Sequence, residues 1–207
     1  MSSATRLLVL GGIRIMQPVH GYDVRRELMS WRLEDAANIK PGSVYGAIRT
    51  LLADGCIAVH SRDSADSRPE KTSYVITGEG EKEFQLLLRE TWWTLRSPAE
   101  PLIPALSMLP FMNRDELISA LGARIAGLEA ELDNTAFLRS TIKDGATGAD
   151  GEIPEHVRET LDFLSARRRA ELEWSRGLQK RLRDGRYRFS GEDGFPVPAP
   201  GKGLRPA

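Results

Sequence analysis

Ser43, Tyr45, Gly46, Arg49 and Thr50 fall within eight residues of one another in the stretch KPGSVYGAIRTLLADG. At 100° per residue, Val44, Ile48 and Leu51 gather on one side of a helix. Gly42, Ser43, Gly46, Arg49 and Thr50 take the opposite side, with Tyr45 on the flank. The outward set is a guanidinium, two hydroxyls and residues without bulk. It holds no nucleophile with its base, so the chemistry it suits is recognition of base edges. Arginine donates to guanine, serine and threonine bond to bases or phosphates, and small residues let a helix backbone come close. Lys40 and the helix start at Pro41, Gly42 and Ser43 offer a cation and free N–H groups to a phosphate.

Other chemistries find less support. His20, His60 and His156 are scattered without metal-ligand spacing, and His20 reads as ordering a helix start. Cys56, the one cysteine, sits in an apolar strand and reads as a small buried hydrophobe. GATGADG has glycines but lacks the Lys-Ser/Thr of a phosphate loop, so it reads as a linker. The basic run ARRRAELEW reads as a solvated helix face. No metal or cofactor is expected.

Local signals place the reading helix in a frame. A first helix carries Leu7, Leu8, Leu10 and Ile15, and Pro18 breaks the chain after it. A second helix runs from Tyr22 to Trp31, with Tyr22 at its start joining the candidate DNA contacts. The third spans Gly42 to Ala53 and stops at Gly55. CIAVHSR and KTSYVIT alternate as strands and can pair as a hairpin around the polar tip DSADSRPE. That hairpin brings Arg62, Arg68 and Lys71 to a wing able to lie along a groove or the flanking backbone. A fourth helix follows from Gly80 to Leu95, where Trp92 and Trp93 point about 100° apart. Trp92 keeps step with Phe84 and Leu88 and is expected in the core. Trp93 is expected to face a dimer partner or a flat aromatic effector.

The fold class expected is mainly α: an N-terminal winged helix-turn-helix, three helices plus a two-stranded wing, then a long helical dimerisation domain. The boundaries expected are 1–96, 97–184 and a Gly/Pro-rich flexible tail at 185–207. Within the second domain a short helix is expected between Pro104 and Pro110. A long helix capped by Asn113 runs from Arg114 to Ile142, and another from Pro154 to Asp184. Leu117, Leu121, Ile125, Leu128 and Leu132 stripe the first; Val157, Leu161, Leu164, Leu172, Leu178 and Leu182 stripe the second. These stripes need a partner surface. Leu117, Leu121, Leu128, Leu161 and Leu164 are therefore expected to build a homodimer.

HGYDVRREL, KPGSVYGAIRTLLADGCIAV and SRPEKTSYVITGEG together resemble the PadR family of bacterial transcriptional regulators. His20, Gly21, Tyr22 and Asp23 fit that family's first motif. Pro41, Gly42, Ser43, Val44, Tyr45 and Ala47 fit the reading helix, and Arg68, Pro69, Lys71, Tyr74, Thr77 and Gly80 the wing. The resemblance covers about residues 5–95. It implies a dimeric repressor on a two-fold operator with a helical dimerisation arm. Gly46 departs from the usual proline, Ser67 from a glycine and Cys56 from a leucine.

Lys plus Arg and Asp plus Glu both number 29, so the net charge is zero and an anionic partner must be met by a local basic patch. RLLVLGGIRIM is apolar but short and interrupted by Arg14, so a cytoplasmic protein without a membrane segment is expected. The partners expected are double-stranded DNA, a second copy of the chain and a small aromatic effector. The competing reading is a winged-helix module that binds protein and not DNA; the mixed-sign wing, with Asp63, Asp66 and Glu70, speaks for it.

Overall fold

The computed structural model describes residues 2–31, 40–63, 71–95, 100–147 and 152–195. The chain divides into two units, Met1–Pro98 and Ala99–Ala207.

The first unit begins with α1, Ser3–Met16, whose N-cap Ser2 accepts a hydrogen bond from the Thr5 amide. β1, Val19–His20, leads directly into α2, Gly21–Ser30. α3, Pro41–Ala53, opens on a proline, the residue best suited to a first helical position. It ends at Gly55, whose φ of +72° lets the Cys56 amide turn back to the Leu51 carbonyl. β2, Ile57–Asp63, and β3, Lys71–Ile76, form the antiparallel wing, with a register shift between Val59 and Ser61. α4, Gly78–Trp93, starts on the cap of Thr77.

The wing is not two-stranded, as expected, but part of a three-stranded sheet in the order β1-β3-β2. Val19 pairs with Tyr74 and His20 with Ser73. The extra strand is only two residues long, too short for any alternation to show in the sequence. His20 does order this region: its Nδ1 lies 3.1 Å from the Thr72 carbonyl oxygen.

The core of this unit is where α1, α2 and α3 meet. Val9, Leu10, Ile13, Val24, Leu28, Val44, Ala47, Ile48 and Leu51 are buried there with Cys56 and Ile57, and Phe84 and Leu87 of α4 pack against them. Burial pushes the Cys56 thiol up, consistent with a packing role. Arg6 ties the layers together. Its Nε donates to Glu83 of α4 at 2.7 Å and its Nη1 to Asp54, the C-cap of α3, at 2.6 Å. Burial works against the charge on Arg6, but these two carboxylates outweigh it and push its pKa above the ordinary arginine value. Gly80 is a second fixed point. A Cβ there would fall 1.9 Å from the Cys56 carbonyl oxygen, so only glycine lets α4 start this close to β2.

The second unit contains α5, Leu102–Ser107, a 3₁₀ turn at Leu109–Phe111, α6, Arg114–Ser140, and α7, Val157–Arg183. The short helix starts two residues before Pro104 rather than after it. Pro104 then occupies the first turn, where a missing N–H breaks no helical bond. Asn113 caps α6 as expected, accepting from the Asp115 and Glu116 amides. α6 and α7 pack antiparallel. Arg139 pairs with Asp162 at 2.6 Å, Glu131 with Arg168 at 2.5 Å, and Arg124 with Glu171.

The tail is corrected by the structure as far as residue 195. Phe189 is 2% exposed and lies in the cluster of Leu121, Leu178 and Leu182. The Arg114 guanidinium stands 4.7 Å from the centre of its ring and reaches both oxygens of Glu192 at 2.8 Å. Arg114 also donates to the Leu182 and Tyr187 carbonyls, and the Ser190 amide donates to the Pro110 carbonyl. Glycine content suggested a loose segment, but Tyr187 and Phe189 carry enough apolar surface to dock it. The remainder of the expected tail lies outside the described residues.

Candidate nucleic-acid interface

α3 stands on Val44, Ala47, Ile48 and Leu51, so its phase is fixed by burial and its opposite face must look outward. Arg49 and Thr50 are exposed, and Ser43 and Gly46 partly so. A Cβ on Gly46 or Gly42 would meet nothing within 4 Å, so the helix surface between Ser43 and Arg49 is open. The hydroxyls are not idle. Ser43 Oγ donates to the Lys40 carbonyl at 2.6 Å, and Thr50 Oγ1 donates to the Gly46 carbonyl at 3.1 Å. Lys40 is exposed at the N-cap of α3; in the first turn Pro41 has no N–H and the Ser43 amide donates to the Lys40 carbonyl at 2.8 Å, which leaves fewer donors for a phosphate than the sequence suggests.

Tyr45 and Tyr22 flank the other side. Tyr45 packs near Gly21, its Cε1 3.6 Å from where a Cβ would stand, and remains exposed. Tyr22 at the start of α2 is exposed, with the Arg26 guanidinium 5.6 Å from its ring centre. The two phenols therefore edge one surface at the junction of α2 and α3. Arg62 and Lys71 lie at the tip end of β2 and β3, where Arg62 pairs with Thr72 and Asp63 with Lys71. Arg68 lies outside the described residues.

Sequence reasoning missed the contribution of α1. Ser2 and Thr5 line, with Ser43, Gly46, Arg49 and Thr50, one concavity of about 360 Å³. Their own signal is only an N-cap pattern, and the approach of α1 to α3 is a tertiary contact.

Among the described residues no group of His, Cys, Asp and Glu could hold a metal, and no helix is long and apolar enough to cross a membrane. The assembly is a three-helix core, a winged sheet and an open polar helix face. Residues 9–86 match the model of the transcriptional regulator PadR-like family. The N-terminal unit is a PadR-like domain. The family that this model describes is one of transcriptional regulators.

Solved structures extend the likeness beyond the PadR-like domain. PadR of Bacillus subtilis in complex with operator DNA is 14% identical, with a TM-score of 0.65 over 86% of this chain and 98% of that one. The same protein with p-coumaric acid is 13% identical, with a TM-score of 0.65 over 87% and 99%. A PadR-like transcriptional regulator from Bacillus cereus is 20% identical, with a TM-score of 0.55 over 86% and 94%. At these identities the likeness is one of fold. No curated protein is similar enough in sequence to count as a relative.

Two groups of expected contacts stand differently from the sequence reading. Trp92 is 79% and Trp93 84% exposed, so Trp92 is not a core residue. α4 keeps its apolar phase through Phe84 and Leu87, but among the described residues none of its last turn joins the buried cluster. Leu121 and Leu128, expected at a dimer interface, are buried within the second unit. Leu121 packs against Leu178 and Leu182 of α7 in the same chain. Leu117, Leu161 and Leu164 are only partly exposed, whereas Phe137 at 67% and Phe163 at 64% stand out.

Proposed function

We propose that this chain is a DNA-binding transcriptional repressor that grips a two-fold operator as a homodimer. The observation that carries the reading is the outward face of α3. Its phase is locked by four buried residues, and it presents Ser43, Gly46, Arg49 and Thr50 around one open concavity. Arg49 is the base reader, with Ser43, Gly46 and Thr50 beside it. Lys40, Tyr45 and Tyr22 hold the flanking phosphates, and Arg62, Arg68 and Lys71 carry the wing to the neighbouring groove. The structural neighbour with operator DNA supports the reading.

A gel-shift titration with DNA flanking the chain's own coding sequence tests it. Arg49→Ala is expected to cost the preferred sequence about 1–3 kcal/mol and to leave unspecific binding nearly unchanged. Lys40→Ala and Tyr45→Phe are expected to weaken all sequences alike, and Lys40→Ala to flatten the salt slope by about one unit. Unchanged operator affinity in Arg49→Ala would mean that this face of α3 does not enter the groove. Binding to protein partners without salt-dependent DNA binding would favour the interaction-module reading.

The dimer is built from the second unit through Leu117, Leu161 and Leu164, together with the exposed Phe137 and with Phe163, which lies between Leu161 and Leu164 in sequence. Two half-sites one helical turn apart then double the contacts of one reading helix. A small planar aromatic compound is the effector, and Trp92 and Trp93 are its contacts or the dimer's. Their exposure and the neighbour solved with p-coumaric acid support this. Sedimentation at micromolar protein is expected to give twice the chain mass of 23.0 kDa. Planar aromatic acids are expected to quench tryptophan fluorescence and weaken operator binding, and Trp93→Ala to lose both. A Trp93→Ala dimer with its full ligand response would exclude that site.

A further inference from the structure

Resting on the DNA-reading role of α3, we infer that Thr50 reads an exocyclic amino group, cytosine N4 or adenine N6, beside the guanine taken by Arg49. A hydroxyl carries one proton and two acceptor positions. The Thr50 proton is engaged at 3.1 Å by the Gly46 carbonyl one turn earlier, and the Ser43 proton at 2.6 Å by the Lys40 carbonyl. What both side chains turn outward is therefore oxygen lone pairs. Phosphate oxygens, guanine N7 and O6, adenine N7 and thymine O4 are themselves acceptors and are poor partners for such a surface. In the major groove only cytosine N4 and adenine N6 donate.

Arg49 is the complement, since a guanidinium donates and cannot accept. One step along α3, a donor group thus stands beside an acceptor group. A G·C pair shows the matching row across its major-groove edge: two acceptors on guanine, then the donor on cytosine. Gly46 keeps the face between them open, and Ser43, Gly46, Arg49 and Thr50 line the same concavity. An adenine stacked beside that guanine would offer its N6 in a similar place.

Selection from random duplexes by the full chain at one salt concentration tests this, with wild type, Thr50→Val, Thr50→Ser and Arg49→Ala run side by side. Valine keeps the branch and volume of threonine and removes only the hydroxyl. Wild type and Thr50→Ser are expected to restrict one position to an amino-bearing base. Thr50→Val is expected to relax that position alone, and Arg49→Ala to relax the guanine. The best site is then resynthesised with purine for each adenine, or 2-pyrimidinone for each cytosine, in turn, which separates the two sources of the amino group. One such removal is expected to weaken wild type about tenfold and to leave Thr50→Val unaffected. A Thr50→Val protein that selects the wild-type site and keeps its full sensitivity to the missing amino group overturns the inference and leaves the DNA-reading role standing. A wild-type protein that enriches no sequence overturns both.

Discussion

Gly80→Ala is expected to cost the N-terminal unit about 3 kcal/mol, the upper end of ordinary overpacking. For a domain of this size that lowers the melting temperature by about 12–24 °C. The added methyl would stand 1.9 Å from the Cys56 carbonyl oxygen, 2.9 Å from its carbon and 2.8 Å from Ile76 Cγ1. Two of those atoms are backbone, so no rotamer change relieves the clash. Either α4 retreats from β2 or the turn after α3 moves, and both break the bond from the Thr77 amide to the Cys56 carbonyl. Gly78→Ala is the control, because a Cβ there meets nothing within 4 Å. It should be neutral or slightly stabilising, as glycine is a poor helix former. Thermal melts of the full chain followed by circular dichroism decide the matter. Equal melting of the two variants would contradict the placement of α4.

Phe189→Ala should be as damaging to the second unit, by about 3–5 kcal/mol, because it empties a site walled by Leu121, Leu178 and Leu182. Arg114→Ala attacks the same segment from its polar side, removing the bonds to Glu192 and to the Leu182 and Tyr187 carbonyls. The Arg114 guanidinium, with help from the Phe189 amide, holds the Glu192 carboxyl below the usual glutamate range. The sign follows from that. A carboxyl with a depressed folded value binds fewer protons than the unfolded chain, so its contribution is complete above the ordinary range and fades as the pH falls through the depressed value. In wild type, urea midpoints of the second unit should drop on acidification through that window. In Glu192→Gln this part of the pH dependence should be missing. Equal urea midpoints for wild type and Phe189→Ala at neutral pH would show that the segment does not dock.

The contrast between those two segments shows what the sequence makes legible. Helices α1 to α4 and the hairpin are written in local signals: Pro18, Pro41, Gly55 and the 3.6-residue spacing of Val44, Ile48 and Leu51. The outward face of α3 follows from that phase alone. β1 could not be read the same way, because two residues have no period and Val19 is a strand only by pairing with Tyr74, far along the chain. The stripe through Leu121 and Leu128 was visible as apolar. Periodicity names a face to be covered, however, and says nothing of whether α7 or a second chain covers it. Trp92 was in phase with the core, but phase fixes direction and not whether core lies opposite. At the candidate interface, Ser2 and Thr5 were invisible for a related reason: they reach α3 through the fold.

Arg6 has a mechanical consequence. One guanidinium holds the end of the reading helix through Asp54 and the second turn of α4 through Glu83. Trp93 lies ten residues beyond Glu83 on the same helix, an arm of about 15 Å at 1.5 Å per residue. A pivot of 10° about the Arg6 contact would swing that arm's far end by about 2.6 Å, on the same helical geometry. At the short end, the same rotation barely shifts Asp54. On the proposed reading, such a rotation would move the tryptophans much further than the helix that faces DNA. If the proposed effector at the tryptophans altered the grip of α3 on DNA, linkage would make DNA alter that effector's affinity by the same factor.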